Sequence, residues 1–298
     1  MLLSLALAVL AAAQNPDTTV AVTRGQRLEV RAHTGAITVH GWSRDAVRVR
    51  ADLDGDALDL DQSPVVLSVG ATGHRGPPEH ATYDITAPTW MAVSLSGVDA
   101  EMRVEGIQAP VQIETVDGDV TVQGGAGNVS LRSVEGKVTL SGAKGRIDAN
   151  SVNSDVTVRD ASGGIQATTV DGNVRLVSIA SDEVEATTVD GDIVYDGTIR
   201  PSGRYRLATH DGDVTLAVPD GTDALVSVST FDGDFEAAFP VTLRERHGRR
   251  FSFTLGGGSA RIDLQSFDGT IRLARPGALP TKGGANGART SASDSAQE

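Results

Sequence analysis

The chain has 298 residues, a net charge of −13, 34 glycines, no cysteine and 4% aromatic residues. The negative balance argues against nucleic acid and anionic membrane surfaces, which call for concentrated Lys and Arg. The lack of Cys rules out disulfides, thiol nucleophiles, Cys-ligated zinc and lipidation at a cysteine. With aromatics scarce, the expected core is Val, Ile, Leu and Ala, which suits the pleated surface of strands.

The chain opens with MLLSLALAVLAAAQ, a short apolar run in which Ala11-Ala12-Ala13 fits an A-x-A cleavage site. A signal peptide over residues 1–13 is predicted, and with it export to the periplasm, cell surface or exterior, although no Lys or Arg precedes the run. About twelve apolar residues are too few to span a bilayer. No later stretch is long and apolar enough, so no membrane span is expected after cleavage.

Residues 14–95 are strand-like but irregular, with Val20-Ala21-Val22, Arg27-Leu28-Glu29-Val30, Ala36-Ile37-Thr38-Val39 and Tyr83-Asp84-Ile85. HTGAITVHG (33–41) reads as a degenerate repeat and GHRGPPEH (73–80) as an exposed loop. The section is expected to be a β-rich N-terminal cap, protecting the edge strand of the more regular region beyond residue 95.

From residue 96 to 275 a motif recurs: TVDGD (115–119), SVEGK (133–137), SVNSD (151–155), TVDGN (169–173), TVDGD (188–192), THDGD (209–213), TFDGD (230–234) and SFDGT (266–270). The third motif positions, 117, 135, 153, 171, 190, 211, 232 and 268 (Asp except for Glu135 and Asn153), are separated by steps of 18, 18, 18, 19, 21, 21 and 36. Val98-Asp99-Ala100-Glu101 fits one step upstream, and the step of 36 is expected to hold a second, degenerate rung. Each repeat alternates at period two on both sides of the motif, as in Val129-Ser130-Leu131 before one corner and Val138-Thr139-Leu140 after it. Eighteen residues leave no room for a crossover helix, and a single repeat cannot bury its apolar face alone.

The prediction is an all-β, single-domain parallel β-solenoid (β-helix) of about ten 18–21-residue coils. At a spacing of 4.7–4.9 Å per coil the rod is about 45 Å long. A β-sandwich also has short strands between turns, but does not hold an 18-residue register over successive motifs. The Gly of each corner is expected for its positive φ, and the Asp before it to accept backbone N–H bonds in an Asx-type turn. Residues 276–298, rich in Gly, Ala and Ser, read as a disordered tail.

The β-rich start, the YDITAP segment (83–88) and the recurring S/T-V-D-G-D-V-x-V corners resemble the bacterial putative-adhesin family of unknown function, within the toastrack-like β-solenoid group. The resemblance covers roughly residues 17–275. It implies an exported or envelope-associated solenoid that binds or scaffolds, with relatives linked to envelope stress signalling, and it brings no catalytic residues.

The sequence contains no HExxH, G-x-S-x-G, P-loop or dinucleotide fingerprint. A polysaccharide-active β-helix would want an asymmetric carboxylate cluster with aromatic platforms, whereas the carboxylates here repeat evenly and the two Trp, Trp42 and Trp90, lie outside the regular repeats. No enzyme activity and no cofactor are therefore expected. Calcium is the alternative, since stacked carboxylates could supply oxygen ligands. The run to consider is Asp171, Asp190, Asp211 and Asp232, with Asp192, Asp213 and Asp234 beside them; elsewhere Lys137, Asn153, Asn173 and Thr270 interrupt the ladder. His210 takes a slot held by Val in other repeats and is expected to be half-buried. Arg244, Arg246, His247, Arg249 and Arg250 in LRERHGRRFSF (243–253) form either a patch for an acidic partner or anionic glycan, or a solvated hairpin or C-terminal cap. The expected partner is a protein or glycan of the cell envelope.

Overall fold

The computed structural model describes residues 16–54, 56–72, 80–247 and 250–277, and for 243–247 the backbone alone. The expected signal peptide, the tail from residue 278, Arg249 and most of the 73–80 segment lie outside this set. The described chain is all-β with no helix, and its 24 strands belong to one hydrogen-bonded network. One continuous apolar cluster runs from Val22 to Leu273.

The central repeats supply β7 (Ala92–Ile107), β8 (Val111–Glu114), β9 (Val120–Gly124), β10 (Ala126–Arg132), β11 (Val138–Ser141), β12 (Lys144–Asn150), β13 (Val156–Arg159), β14 (Ser162–Thr168), β15 (Val174–Thr187), β16 (Ile193–Gly197), β17 (Arg204–Asp211) and β18 (Val214–Ala217). The 18-residue period becomes the pairing register: Val120, Val138, Val156 and Val174 are successive parallel partners, followed by Ile193 and Val214. All six are fully buried, so one inward position per repeat builds a continuous apolar column. A second parallel ladder does the same with Val111, Val129, Ile147, Ile165 and Val184. Because β7 and β15 bend and pair in both ladders, nine parallel strands close a circuit: β7, β8, β10, β12, β14, β15, β13, β11, β9 and back to β7.

Further strands extend this circuit at both ends, and not in chain order. The N-terminal section contains β1 (Asp17–Ala21), β2 (Arg27–Trp42), β3 (Ala46–Asp52), β4 (Ala57–Gln62), β5 (Val66–Thr72) and β6 (Ala81–Pro88). Parallel register reaches into this section, because β2 pairs with β7 on one side and with β5 and β6 on the other. Antiparallel β4, β3 and β1 then lie outside β5 and β6. After the outermost β1, the chain therefore lays down the inner β2 and only then its outer neighbours β3 to β6.

The C-terminal end mirrors this with β19 (Ala224–Thr230), β20 (Phe235–Ala237), β21 (Leu243–His247), β22 (Arg250–Leu255), β23 (Ala260–Asp268) and β24 (Ile271–Ala274). The last repeat, β23 and β24, is inserted between β17/β18 and β19/β20. This corrects the expected degenerate rung in the 36-residue step: the intervening residues form an antiparallel hairpin, β21 with β22, packed on β19. An antiparallel hairpin at the end removes a free parallel edge that could template association.

The aliphatic core expectation also needs correction. All three Tyr of the chain, Tyr83, Tyr195 and Tyr205, are among its largest fully buried side chains. Tyr195 and Tyr205 meet edge-on with centroids 5.8 Å apart, where the repeat lengthens to 21 residues. Their hydroxyls satisfy the backbone of that longer corner: Tyr205 donates to Ser181 O (2.8 Å) and accepts from Arg200 N (2.7 Å), and Tyr195 donates to Thr198 O (3.0 Å). Burial pushes the Tyr83 phenol up to about 12 and raises Tyr195 and Tyr205 as well.

The inserted repeat can be tested in this Cys-free chain. Arg206 and Asp263 are register partners, as are Asp263 and Ser227, so Arg206 and Ser227 stand two strand spacings apart, about 9.6 Å. A Cys pair at 206 and 263 should oxidise to a disulfide, whereas a pair at 206 and 227 should stay reduced, being beyond the roughly 7 Å reach of the bond. Non-reducing gels of the two double variants read the difference.

Candidate functional site

The repeated S/T-V-D-G-D corner connects the two ladders, and every position of it stacks on its counterpart in the neighbouring repeat. Glycine is required by contact as well as by conformation. A Cβ on Gly136 would lie 1.9 Å from Gly118 O, one on Gly191 2.0 Å from Gly172 O, and one on Gly212 2.2 Å from Gly191 O. Several of these glycines also have positive φ, including Gly191 at 149° and Gly212 at 144°, where side chains are strained.

The Ser or Thr that opens the motif forms a buried hydroxyl ladder that the sequence reading overlooked. Ser133 donates to Gly118 O (3.1 Å), Ser151 to Gly136 O (3.0 Å), Thr169 to Ser154 O (2.8 Å), Thr188 to Gly172 O (2.9 Å), Thr209 to Gly191 O (3.0 Å) and Ser266 to Gly212 O (2.9 Å). All six are at most 7% exposed. The signal was present in the sequence as a small hydroxyl residue at the first motif position in each repeat.

The two acidic positions have different roles, and the expected Asx-type closure is assigned to the wrong one. The residue after Gly accepts the backbone N–H of its counterpart in the next repeat: Asp119 from Lys137, Asp155 from Asn173, Asn173 from Asp192, Asp192 from Asp213 and Asp213 from Thr270, all at 2.7–3.0 Å. The residue before Gly points to solvent, as in Asp117, Asp171, Asp190 and Asp211.

The run considered for calcium is only partly contiguous. Asp171, Asp190 and Asp211 bridge in succession through their backbones. Asp211 then pairs with Asp268, and Asp232, whose N–H donates to Phe267 O, lies beyond it. Asp192 and Asp213 sit in the separate N–H-accepting row, and Asp234 is exposed with its carbonyl accepting from Ile271 N. Among the described residues no three His, Asp or Glu converge to hold a metal ion.

A shallow groove of about 290 Å³ runs beside the second acidic row, lined by Asp155, Asp192, Asp213, Arg175 and Arg272 among others. Arg272 spans it, bonded to Asp213 Oδ2 and, at 2.9 Å, to Glu236 Oε2. These carboxylates raise its already high pKa.

Between hydroxyl and first acid lies an exposed apolar row: Val98, Val116, Val134, Val152, Val170 and Val189, each 36–49% exposed. His210, exposed rather than half-buried, continues it by stacking on Phe267 (4.7 Å), and Phe267 stacks on Phe231 (4.6 Å). Of the arginine-rich segment, residues 243–247 form β21, and Arg250 is exposed at the start of β22 opposite His247. The side chains of Arg244, Arg246, His247 and Arg249 lie outside the described set.

Register-locked repeats with their polar groups spent on inter-repeat bonds define an all-β repeat protein. The profile of the Toastrack DUF4097 family matches residues 8–274, and the chain belongs to that family. Among solved structures, a putative adhesin from Parabacteroides merdae is 11% identical, with 88% of this chain and 97% of that one covered and a TM-score of 0.46. A putative adhesin from Parabacteroides distasonis is 10% identical (87% and 96% covered, TM-score 0.44), and one from Bacteroides fragilis 12% identical (87% and 96%, TM-score 0.42). Comparison with curated proteins finds no match.

The corner roles predict a graded response in urea unfolding. Gly191→Ala should cost more than about 3 kcal/mol through strain and collision with Gly172 O. Thr188→Val should cost about 1–2 kcal/mol for the lost buried bond, and Asp190→Asn less than about 0.5 kcal/mol. Thermal unfolding in millimolar calcium should match that in EDTA; a rise of several degrees in calcium would restore the acidic row as a cation site.

Proposed function

We propose that the chain is a non-catalytic β-solenoid serving as an exported, adhesin-like or cell-envelope scaffold and binding module. On this reading the nine-strand circuit and its extensions are successive coils of one rod. The observation that carries it is the use of the motif: hydroxyl, glycine and second acid are consumed in joining repeats, and what remains exposed is laid out as long even rows. A catalytic site needs unlike groups converging on one reacting atom. Rows of like groups instead offer a partner the same contact many times along a rigid surface. Family membership and the absence of a long apolar helix among the described residues are compatible with an envelope location.

The test uses the chain from Gln14 onward, immobilised and exposed to envelope proteins and purified envelope polysaccharides. Saturable retention of a component without its modification is expected. Turnover of a polysaccharide, read as new reducing ends or unsaturated products, would overturn the reading in favour of an enzyme. Replacing Arg244, Arg246, Arg249 and Arg250 by Gln in parallel shows whether the basic hairpin contributes: loss of retention assigns the contact to it, and unchanged retention assigns it to the rows.

A further inference from the structure

The exposed apolar row at the corner lies outside the inward-facing core. The inward column of Val120, Val138, Val156 and Val174 already provides the core, and the hydroxyl and glycine rows already join the repeats. Yet the position between them is Val in Val98, Val116, Val134, Val152, Val170 and Val189, then His210, Phe267 and Phe231 in spatial order. A continuous exposed apolar surface of this kind marks an interaction site more often than a scattered one does. Along its flank run the solvent-facing acids Asp99, Asp117, Glu135, Asp171, Asp190 and Asp211.

The geometry points to a cationic amphipathic helix as the occupant of this edge, lying along the stacking direction with its apolar stripe on the Val row and its Lys or Arg beside the acids. This deepens the binding-module reading and rests on it. Spacing selects a helix. Rungs recur at about 4.8 Å, and a helix places an apolar residue about every 5.3 Å along its axis. An extended strand places same-face residues about 6.7 Å apart. Over the eight spacings of a nine-rung row the helical stripe therefore drifts by about 4 Å, less than one rung, and the strand by about 15 Å, or about three rungs. Nine rungs span about 38 Å, the length of a helix of about 25 residues.

Charge selects the sign. A second copy docking by the same edge would set acidic row against acidic row, and an anionic membrane would be repelled at a net charge of −13. A basic helix gains from both rows at once, and truncating either row should weaken it.

The probe is a synthetic 25-residue Leu/Lys peptide with Leu at helical spacing, titrated by fluorescence anisotropy into the chain from Gln14 onward. The controls are a peptide of the same composition with Leu at alternate positions and a Leu/Glu peptide of helical spacing. Saturable binding of the helical Leu/Lys peptide is expected, at least tenfold tighter than either control and weakening as salt rises. A Val116→Thr/Val134→Thr/Val152→Thr/Val170→Thr variant, near-isosteric at exposed positions, should lose at least tenfold. Asp117→Asn/Asp171→Asn/Asp190→Asn should flatten the salt dependence.

Equal binding of the helical and alternating peptides, equal binding to the Thr variant with unchanged circular dichroism, or no binding at millimolar peptide would each overturn the inference. If the Thr variant unfolds early, the Asn variant decides by its salt slope. Failure here with continued retention of an envelope component would remove the helix and leave the module reading intact.

Discussion

The structure depends on how closely one repeat can approach the next at the corner. With a Cβ on Gly136 falling 1.9 Å from Gly118 O and one on Gly191 2.0 Å from Gly172 O, the corner backbones rest on one another at these glycines with no room for a side chain there. That contact sets the register. A slip by one residue would bring a side-chain-bearing residue onto a carbonyl and also turn every inward Val outward. Where the motif lacks glycine, at Asn153-Ser154, the row continues because Ser154 O still receives Thr169 and the next glycine, Gly172, still sits above it.

Contact between the corner backbones dictates the chemistry of the other motif positions. Carbonyls facing into a dry corner need donors, and the Ser/Thr hydroxyl of the following repeat supplies one for a net gain of about 0.5–1.5 kcal/mol each. The N–H groups after the glycine need acceptors, and the second Asp or Asn supplies them. Lys137 offers no acceptor, which is why the N–H-accepting row breaks there and resumes at Asp155. An acid at that position is thus a backbone partner first and a charge second, while the acid before the glycine keeps its charge in water.

The periodic part of this was legible in the sequence. An 18-residue recurrence of Val-x-Val around a DG corner is enough to expect parallel in-register strands, because register and period are the same quantity in such a stack. Three things were not legible. The role of the two acids could not be separated, since both are Asp in four of the eight motifs and only the position of the neighbouring repeat distinguishes them. The burial of Tyr195 and Tyr205 was hidden by composition, because a count of three Tyr says nothing of where they pack. The spatial order at the ends was hidden because SFDGT (266–270) fits beside THDGD (209–213) as well as beside TFDGD (230–234); their corners are near-identical, so the sequence carries no preference between chain order and insertion.

That degeneracy has a structural use. A stack of identical rungs has no inherent end, and each end is an edge that could recruit another chain. Here the section between β2 and β7, and the section between β18 and β23, leave the stack, form the outermost layers with antiparallel strands, and return, so that β2 and β23/β24 lie inside. Removal of an outer layer would require breaking pairings on an inner one that is anchored on both sides. The ends are closed by topology where the middle is held by contact. The corner is then where the repeats remain uniform, and a surface kept regular for the sake of stacking is regular for whatever lies along it as well.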